Sequence, residues 1–507
     1  MGGSFPSPFT SQLLPAYANM ILLYDTLLWN DSTGGFVGWL ASSFSRSPDG
    51  LVYTYQLRDN VRWHDGTAFT ADDVVFTFEY MTAFKGPQPL GLPSVPVRAT
   101  ATGPLTVEIR LPEPDTTFQT FTAATLPIIP RHIWSSITDP AKAQDVAVLV
   151  GTGPYQLTSF SKTEGTLEFE ARDDYFLAKP FAKTIQYHNV GNGDQLTGLL
   201  ASDIDVGTSP PAGVVPDALT PFRTDHAFGI LPTSDGFAIT LRWNLARGGP
   251  LADARFRRAC AMAINRNDMV TRLLGGDGSP GNPGYLAPSN PSYDPSVEPY
   301  RFDPAGAGRL LDQAGYKMGP SGTRLGLDGK PLQIALLVVN TAPAAGQLVV
   351  SYLSAIGVKL TAQSRDVPTL FGQLTSGNYD MAIAFNGGAK RDPDIIRQNF
   401  CNPGFADFRH TQGYDNAQLD DLGARQLAAL DPAARKMLIS QMQHIVATDI
   451  PILTLYYATS YLVFRKAVFG QWASLPATVD GGPFYNPNKH NFVFGEPAGM
   501  KPRPEGP

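Results

Sequence analysis

Two spacings of apolar residues alternate along this chain. Leu332-Gln333-Ile334-Ala335-Leu336-Leu337-Val338 is a short, nearly continuous apolar run, the mark of a strand buried on both faces. Met437, Ile439, Met442, Ile445 and Val446 instead recur at helical spacing. The helix ends are written in polar residues. Asp303-Pro304 opens a helix that runs to Ala314 and is closed by Gly315. Asp accepts the orphan N–H groups there, Pro suits the first helical position, and Gly takes the left-handed backbone at the end. Asp431-Pro432 opens the helix that carries the 437–446 stripe. Thr70-Ala71-Asp72-Asp73 opens a third, with a capping hydroxyl and two acids at the positive end of the dipole. A fourth spans about Asp253 to Ile264, with Phe256, Cys260 and Ile264 four apart on one face.

Strands are read in the same way. Leu51 to Leu57 and Val61 to Trp63 flank Arg58-Asp59-Asn60 and predict a hairpin. Asp328-Gly329 predicts a tight turn into the 332–338 strand. Pro343 to Ile356 reads as a helix closed by Gly357, followed by a strand from Val358 to Ala362 and another from Tyr379 to Phe385. Strand, helix and strand at these lengths make a βαβ unit. The expected class is mixed α/β (α+β with α/β portions), with residues near 250–450 forming one lobe.

Composition narrows the function. A chain of 507 residues implies about three domains or one large two-lobed body. Hydrophobic residues at 43% and charged residues at 17% exclude bulk disorder. Lys+Arg 39 against Asp+Glu 45 gives a net charge of −6, and no basic run offers a footprint for phosphate backbones, so no nucleic-acid partner is expected. No stretch approaches about 20 apolar residues, so no spanning helix is expected. The opening Met1-Gly2-Gly3-Ser4 reads as a start and short scar before a mature sequence. Cys260 and Cys401 have no CxxC partner, which excludes zinc-ribbon and thioredoxin chemistry. Cys260 reads as a small buried hydrophobe, with a Cys260–Cys401 disulfide as the alternative.

The sequence contains no Gly-x-Ser-x-Gly, no Gly-x4-Gly-Lys-Ser/Thr and no His-Glu-x-x-His. Gly151-Thr152-Gly153 lacks a third glycine and reads as a turn before a strand. Seven dispersed histidines, the turn residue His64 among them, give no metal-ligand spacing. Asp392 and Asp394 flank Pro393 and read as a loop turn more than an acid/base pair. Neither enzymatic activity nor a metal or other cofactor is expected.

Six blocks in order then resemble a known family. They are Tyr55-Gln56-Leu57-Arg58-Asp59-Asn60-Val61-Arg62-Trp63-His64-Asp65-Gly66, continuing through Thr70 to Phe76; Gly151-Thr152-Gly153-Pro154-Tyr155; and Arg172-Asp173-Asp174-Tyr175-Phe176. Asp253 to Arg266, Asp303 to Tyr316, and Asp431 to Ile452 complete the set. Together they resemble the extracellular solute-binding proteins of ABC importers, in the class of the oligopeptide, dipeptide and nickel receptors (family 5). The resemblance implies a type II periplasmic-binding-protein-like clamshell. Its first lobe would hold residues 1–36, 149–241 and 459–507, with an additional domain at 37–148, and its second lobe 242–458. Strands near Phe237–Asn244 and Leu455–Phe464 would form the hinge.

The function so implied is extracytoplasmic capture of an oligopeptide or peptide-like solute between the lobes and delivery to a permease. The receptor would be periplasmic or on the cell surface, monomeric, and tied to the membrane at most through a lipid anchor. Candidate ligand-binding residues are Tyr17, Asn19, Phe237, Arg242, Trp243, Asn244, Phe385, Asn386, Lys390, Arg391 and Asp392. In peptide-binding relatives an aspartate about four residues before a proline pairs with the ligand's α-ammonium. Here that position is Ala389, beside Lys390 and Arg391. A buried ammonium without a carboxylate costs several kcal/mol. Either Asp392 or Asp394 replaces that anchor, or the ligand is a non-peptide such as an oligosaccharide, a sugar-phosphate conjugate or a metal chelate. A hydrolase of peptides or glycans is the rival from another class.

Overall fold

The computed structural model describes residues 5–9, 20–30, 35–84, 97–188, 195–210, 212–233, 237–298, 300–387, 392–401, 412–470, 472 and 486–495. A six-stranded sheet dominates one part. Its strands run in the order Gly278–Pro280, Ile452–Ala458, Ala238–Trp243, Met381–Asn386, Ile334–Val339 and Leu360–Arg365. Ile334–Val339 pairs in parallel with both neighbours, while Ala238–Trp243 is antiparallel to both of its own. The Pro343–Ala355 helix makes the crossover between the two parallel strands, so the βαβ expectation holds. Successive residues point to opposite faces. Ile239, Leu241 and Trp243 enter the largest core cluster, and Ala238 enters another with Phe400, Leu419 and Met442. The sheet is therefore covered on both sides.

A second large core gathers Leu22, Tyr53, Trp63, Phe78, Val107, Phe118, Tyr155 and Phe169. It carries an antiparallel four-stranded sheet, ordered Ala41–Arg46, Val52–Leu57, Thr106–Arg110, Arg98–Gly103, and a three-stranded sheet of Tyr155–Ser161, Thr166–Ala171 and Thr184–Tyr187. A further three-stranded sheet places Ser460–Arg465 between Val206–Thr208 and Phe228–Thr233.

Helix ends follow the sequence signals. Asp303 Oδ1 accepts from the Gly306 N–H at 2.7 Å, Asp431 Oδ2 from Ala434 at 2.8 Å, and Thr70 with Asp73 forms a capping box. Gly315 has φ +97° and Gly357 φ +81°, the left-handed backbone expected of helix stops. Two expectations fail. Val61–Trp63 is not a strand, because Val52–Leu57 finds its partners in Ala41–Arg46 and Thr106–Arg110. Met437 is 63% exposed, and the buried stripe is Leu438, Ile439, Met442 and Val446. Cys260 is the small buried hydrophobe expected of it; it and Cys401 lie in separate core clusters, so the alternative disulfide does not form.

The chain passes twice between the six-stranded sheet and the Val206/Phe228/Ser460 sheet. One passage runs from Thr233 to Ala238 and the other from Ala458 to Ser460. The expected division at 241/242 thus falls inside a strand that pairs along its length with the six-stranded sheet, and the passage comes earlier.

Candidate functional site

Both passages leave the six-stranded sheet from the same end. Register pairs Ala238 with Asn386 on one side and with Tyr457 on the other, and Gly278 with Ala458. Gly278, Ala458, Ala238 and Asn386 therefore form a row along the sheet end that faces the smaller sheet. In α/β folds such strand ends, beside a change of direction in the topology, are where ligands bind.

Phe237 and Phe385 stand at the middle of this row. Their rings meet edge to face, 5.5 Å between centroids at 88°, and Phe385 also lies 5.4 Å from Phe371. Both are partly exposed, so they offer apolar surface to a guest while already packed against each other. Behind them lies a buried polar network. Asn386 accepts from the Arg242 guanidinium through Oδ1 and donates to the Tyr285 hydroxyl at 2.8 Å. Asn399 donates to that hydroxyl at 3.4 Å, and Tyr457 donates to the Tyr285 carbonyl at 2.7 Å. Burial holds the Arg242 pKa below the ordinary arginine value and pushes Tyr285 up to about 12. The network fixes the amide of Asn386 at the sheet end.

Where the chain returns from this end, Asp392 is gripped by Arg435, with Nη2 to Oδ1 at 2.7 Å and Nη1 to Oδ2 at 3.2 Å. Asp394, fully buried, accepts from Arg397 at 2.7 Å, from Gln398 at 2.9 Å, and from Gln426. The Ala417–Ala428 helix, which supplies Gln426, also meets the chain just before Phe118 of the other core. Thr116 N–H donates to the Leu427 carbonyl at 2.8 Å.

At the Gly278/Ala458 corner the row opens into a recess of about 360 Å³. It is lined by Gly276, Asp277, Gly278, Ser279, Ala287, Pro288, Ser289, Tyr457 and Thr459. Asp277 Oδ2 accepts from the Tyr461 hydroxyl at 2.6 Å, a bond between the two sheets' surroundings.

Of the candidate residues, the structure brings Phe237, Phe385 and Asn386 together, with Arg242 behind them. It does not bring three others. Trp243 is fully buried at the opposite end of its strand, about 17 Å away at 3.4 Å per residue. Asn244 is spent on the carbonyls of Gly377 and Tyr379, at 2.9 and 2.8 Å. The carboxylate of Asp392 is taken by Arg435. Tyr17, Asn19, Lys390 and Arg391 lie outside the described residues. Sequence reasoning missed Tyr285, Tyr457 and Asp277; only the last had a signal, an acid set among Gly275, Gly276 and Gly278.

Comparison with known proteins agrees with this architecture. The family model for bacterial extracellular solute-binding proteins, family 5, matches residues 35–407. The chain is 26% identical over 455 residues to the di/tripeptide-binding protein 1 of Pseudomonas aeruginosa, covering 85% of this chain and 82% of that one. Its fold is similar to that of the oligopeptide-binding protein AppA from Bacillus subtilis in complex with a nonapeptide. There the TM-score is 0.78 at 21% identity, over 91% of this chain and 92% of the other. It is also similar to NikA from Brucella suis in complex with Fe(III)-EDTA, with TM-score 0.78 at 22% identity over 96% and 97%. With a two-lobed fold, strand ends that face between the lobes, and a family model that spans most of its length, the chain belongs to the bacterial extracellular solute-binding proteins of family 5.

Proposed function

We propose that this receptor takes a peptide or peptide-like solute at the interlobe end of its six-stranded sheet, against Phe237, Phe385 and Asn386. Family membership makes it an extracytoplasmic receptor that hands its solute to an ABC permease and leaves it chemically unaltered. The observation that carries the peptide reading is the row of strand ends crowned by a partly exposed aromatic pair and a fixed amide. Such a surface can receive the apolar side chains of an extended peptide. The naming of relatives as peptide-binding proteins supports it.

The lobes would swing where the chain crosses between the two sheets, as it does between Ala458 and Ser460. A solute shifts the population toward the closed form only as far as it binds closed better than open. A micromolar dissociation constant corresponds to about −8 kcal/mol, within reach of a few buried hydrogen bonds and one apolar anchor. In this reading one copy of the chain serves one solute, and a lipid anchor on the precursor would hold it at the membrane.

Titration calorimetry over a panel of two- to nine-residue peptides tests the reading; at least one should bind at micromolar strength or better. A second reading rests on Ala389-Lys390-Arg391, where cations stand where peptide receptors carry an acid, and favours a solute with an anionic group. Binding of anionic chelates or sugar phosphates with no binding of any peptide would select it.

A further inference from the structure

We propose that Asp277, at the corner of the sheet end, receives the α-ammonium of the bound peptide, in place of an acid at position 389, which is Ala389, and of Asp392 and Asp394, which are held by Arg435 and Arg397; this rests on the peptide reading above. Asp277 sits in the wall of the recess, partly exposed, and takes part in no ion pair among the described residues. One of its oxygens accepts from Tyr461 at 2.6 Å, and an ionised carboxylate retains further lone pairs for a second donor.

Its surroundings favour a cation twice over. The Arg266–Leu274 helix ends at this point, with Gly275 at φ +57° and the Asp277 N–H donating to the Leu274 carbonyl at 2.9 Å. The helix therefore turns its negative end toward the recess. Ser279, Ser289 and Thr459 add hydroxyl oxygens, which can accept the other ammonium protons. The neighbouring cation, Arg223, lies over the Tyr461 ring at 5.9 Å and donates to the Pro216 carbonyl at 3.3 Å.

Spacing supports the same assignment. The Gly278 and Met381–Asn386 strands are three places apart in the sheet, roughly 14 Å at ~4.8 Å per strand. An extended peptide covers that in about four residues. An ammonium held at Asp277 thus lays the fourth side chain on Phe237 and Phe385. Tyr461 belongs to the smaller sheet, so the same anchor reports whether the two parts have come together.

The test is calorimetry on the full chain with Ala-Ala-Ala-Phe, its N-acetyl form, and spermidine, on the wild type and on D277N. The wild type should bind the free peptide at least tenfold tighter than the acetylated one. D277N should lose that preference by weakening only the free form, with its melting temperature little changed. Equal wild-type affinity for both peptides overturns the assignment without any variant. D277N that binds both peptides as the wild type does, or weakens both alike, also overturns it. Spermidine binding as tight as the peptide would overturn it in favour of a polyamine. A wild type that binds neither peptide defeats the peptide reading itself, and this assignment with it.

Discussion

Arg435 holds Asp392 through two nitrogens, at 2.7 and 3.2 Å, with 16% and 14% of the two side chains exposed. The pair fixes the chain at residue 392, and Arg435 also donates from Nε to Gln426 at 3.1 Å, the residue that reaches Asp394. Removing one partner leaves a mostly buried charge alone. R435M should lower the unfolding free energy by about 2–4 kcal/mol in urea titrations. The double variant with D392N should recover part of that, because no unpaired charge then remains.

Phe385 and Trp243 lie on adjacent strands but toward opposite ends of them, and they should behave differently. F385A removes a partly exposed ring from the sheet end and should weaken peptide binding by about 10- to 100-fold, with a small change in melting temperature. W243A hollows the core that Trp243 shares with Phe256 and Leu453, and should cost about 3–5 kcal/mol of stability. Paired melting and calorimetry separate the two outcomes.

His64 is held neutral by its surroundings. Its Nδ1 accepts from the Gly151 N–H at 3.1 Å, while Nε2 faces the Gly153 carbonyl at 3.1 Å and donates to it. Both ring nitrogens are satisfied only by the neutral tautomer. Burial, with the Arg172 charge adding to it, pulls its pKa down to about 4. An unfolded histidine near 6.5 takes up a proton earlier than the folded one. Stability from this residue is therefore complete above about pH 6.5 and is lost as pH falls toward 4, at up to about 1.4 kcal/mol per unit. H64Q should flatten that part of the stability–pH curve, measured by urea unfolding at stepped pH.

Local signals were read from the sequence; long-range ones were not. Asp303, Asp431 and Thr70 cap helices where the sequence placed them, since a cap needs only the next three residues. The βαβ unit was legible because turn and period lie within about forty residues. The false hairpin at 58–60 had the right local chemistry. Its strand was claimed by Ala41–Arg46 and Thr106–Arg110, which no short window contains. Trp243 is a candidate only by its place on the expected hinge strand; both faces of that strand are covered, so place alone does not mark exposure. Asp277 could not be placed at all, because its recess exists only once Gly278 pairs with Ala458, far away in sequence.

The central claim is that two halves close on a solute and release it unchanged. Small-angle scattering on one sample, with and without a bound peptide, followed by mass spectrometry of the recovered peptide, tests it most directly. The account predicts a smaller radius of gyration on binding and a peptide of unaltered mass. An unchanged radius at saturation, or a cleaved peptide whose loss depends on the intact protein, would contradict it.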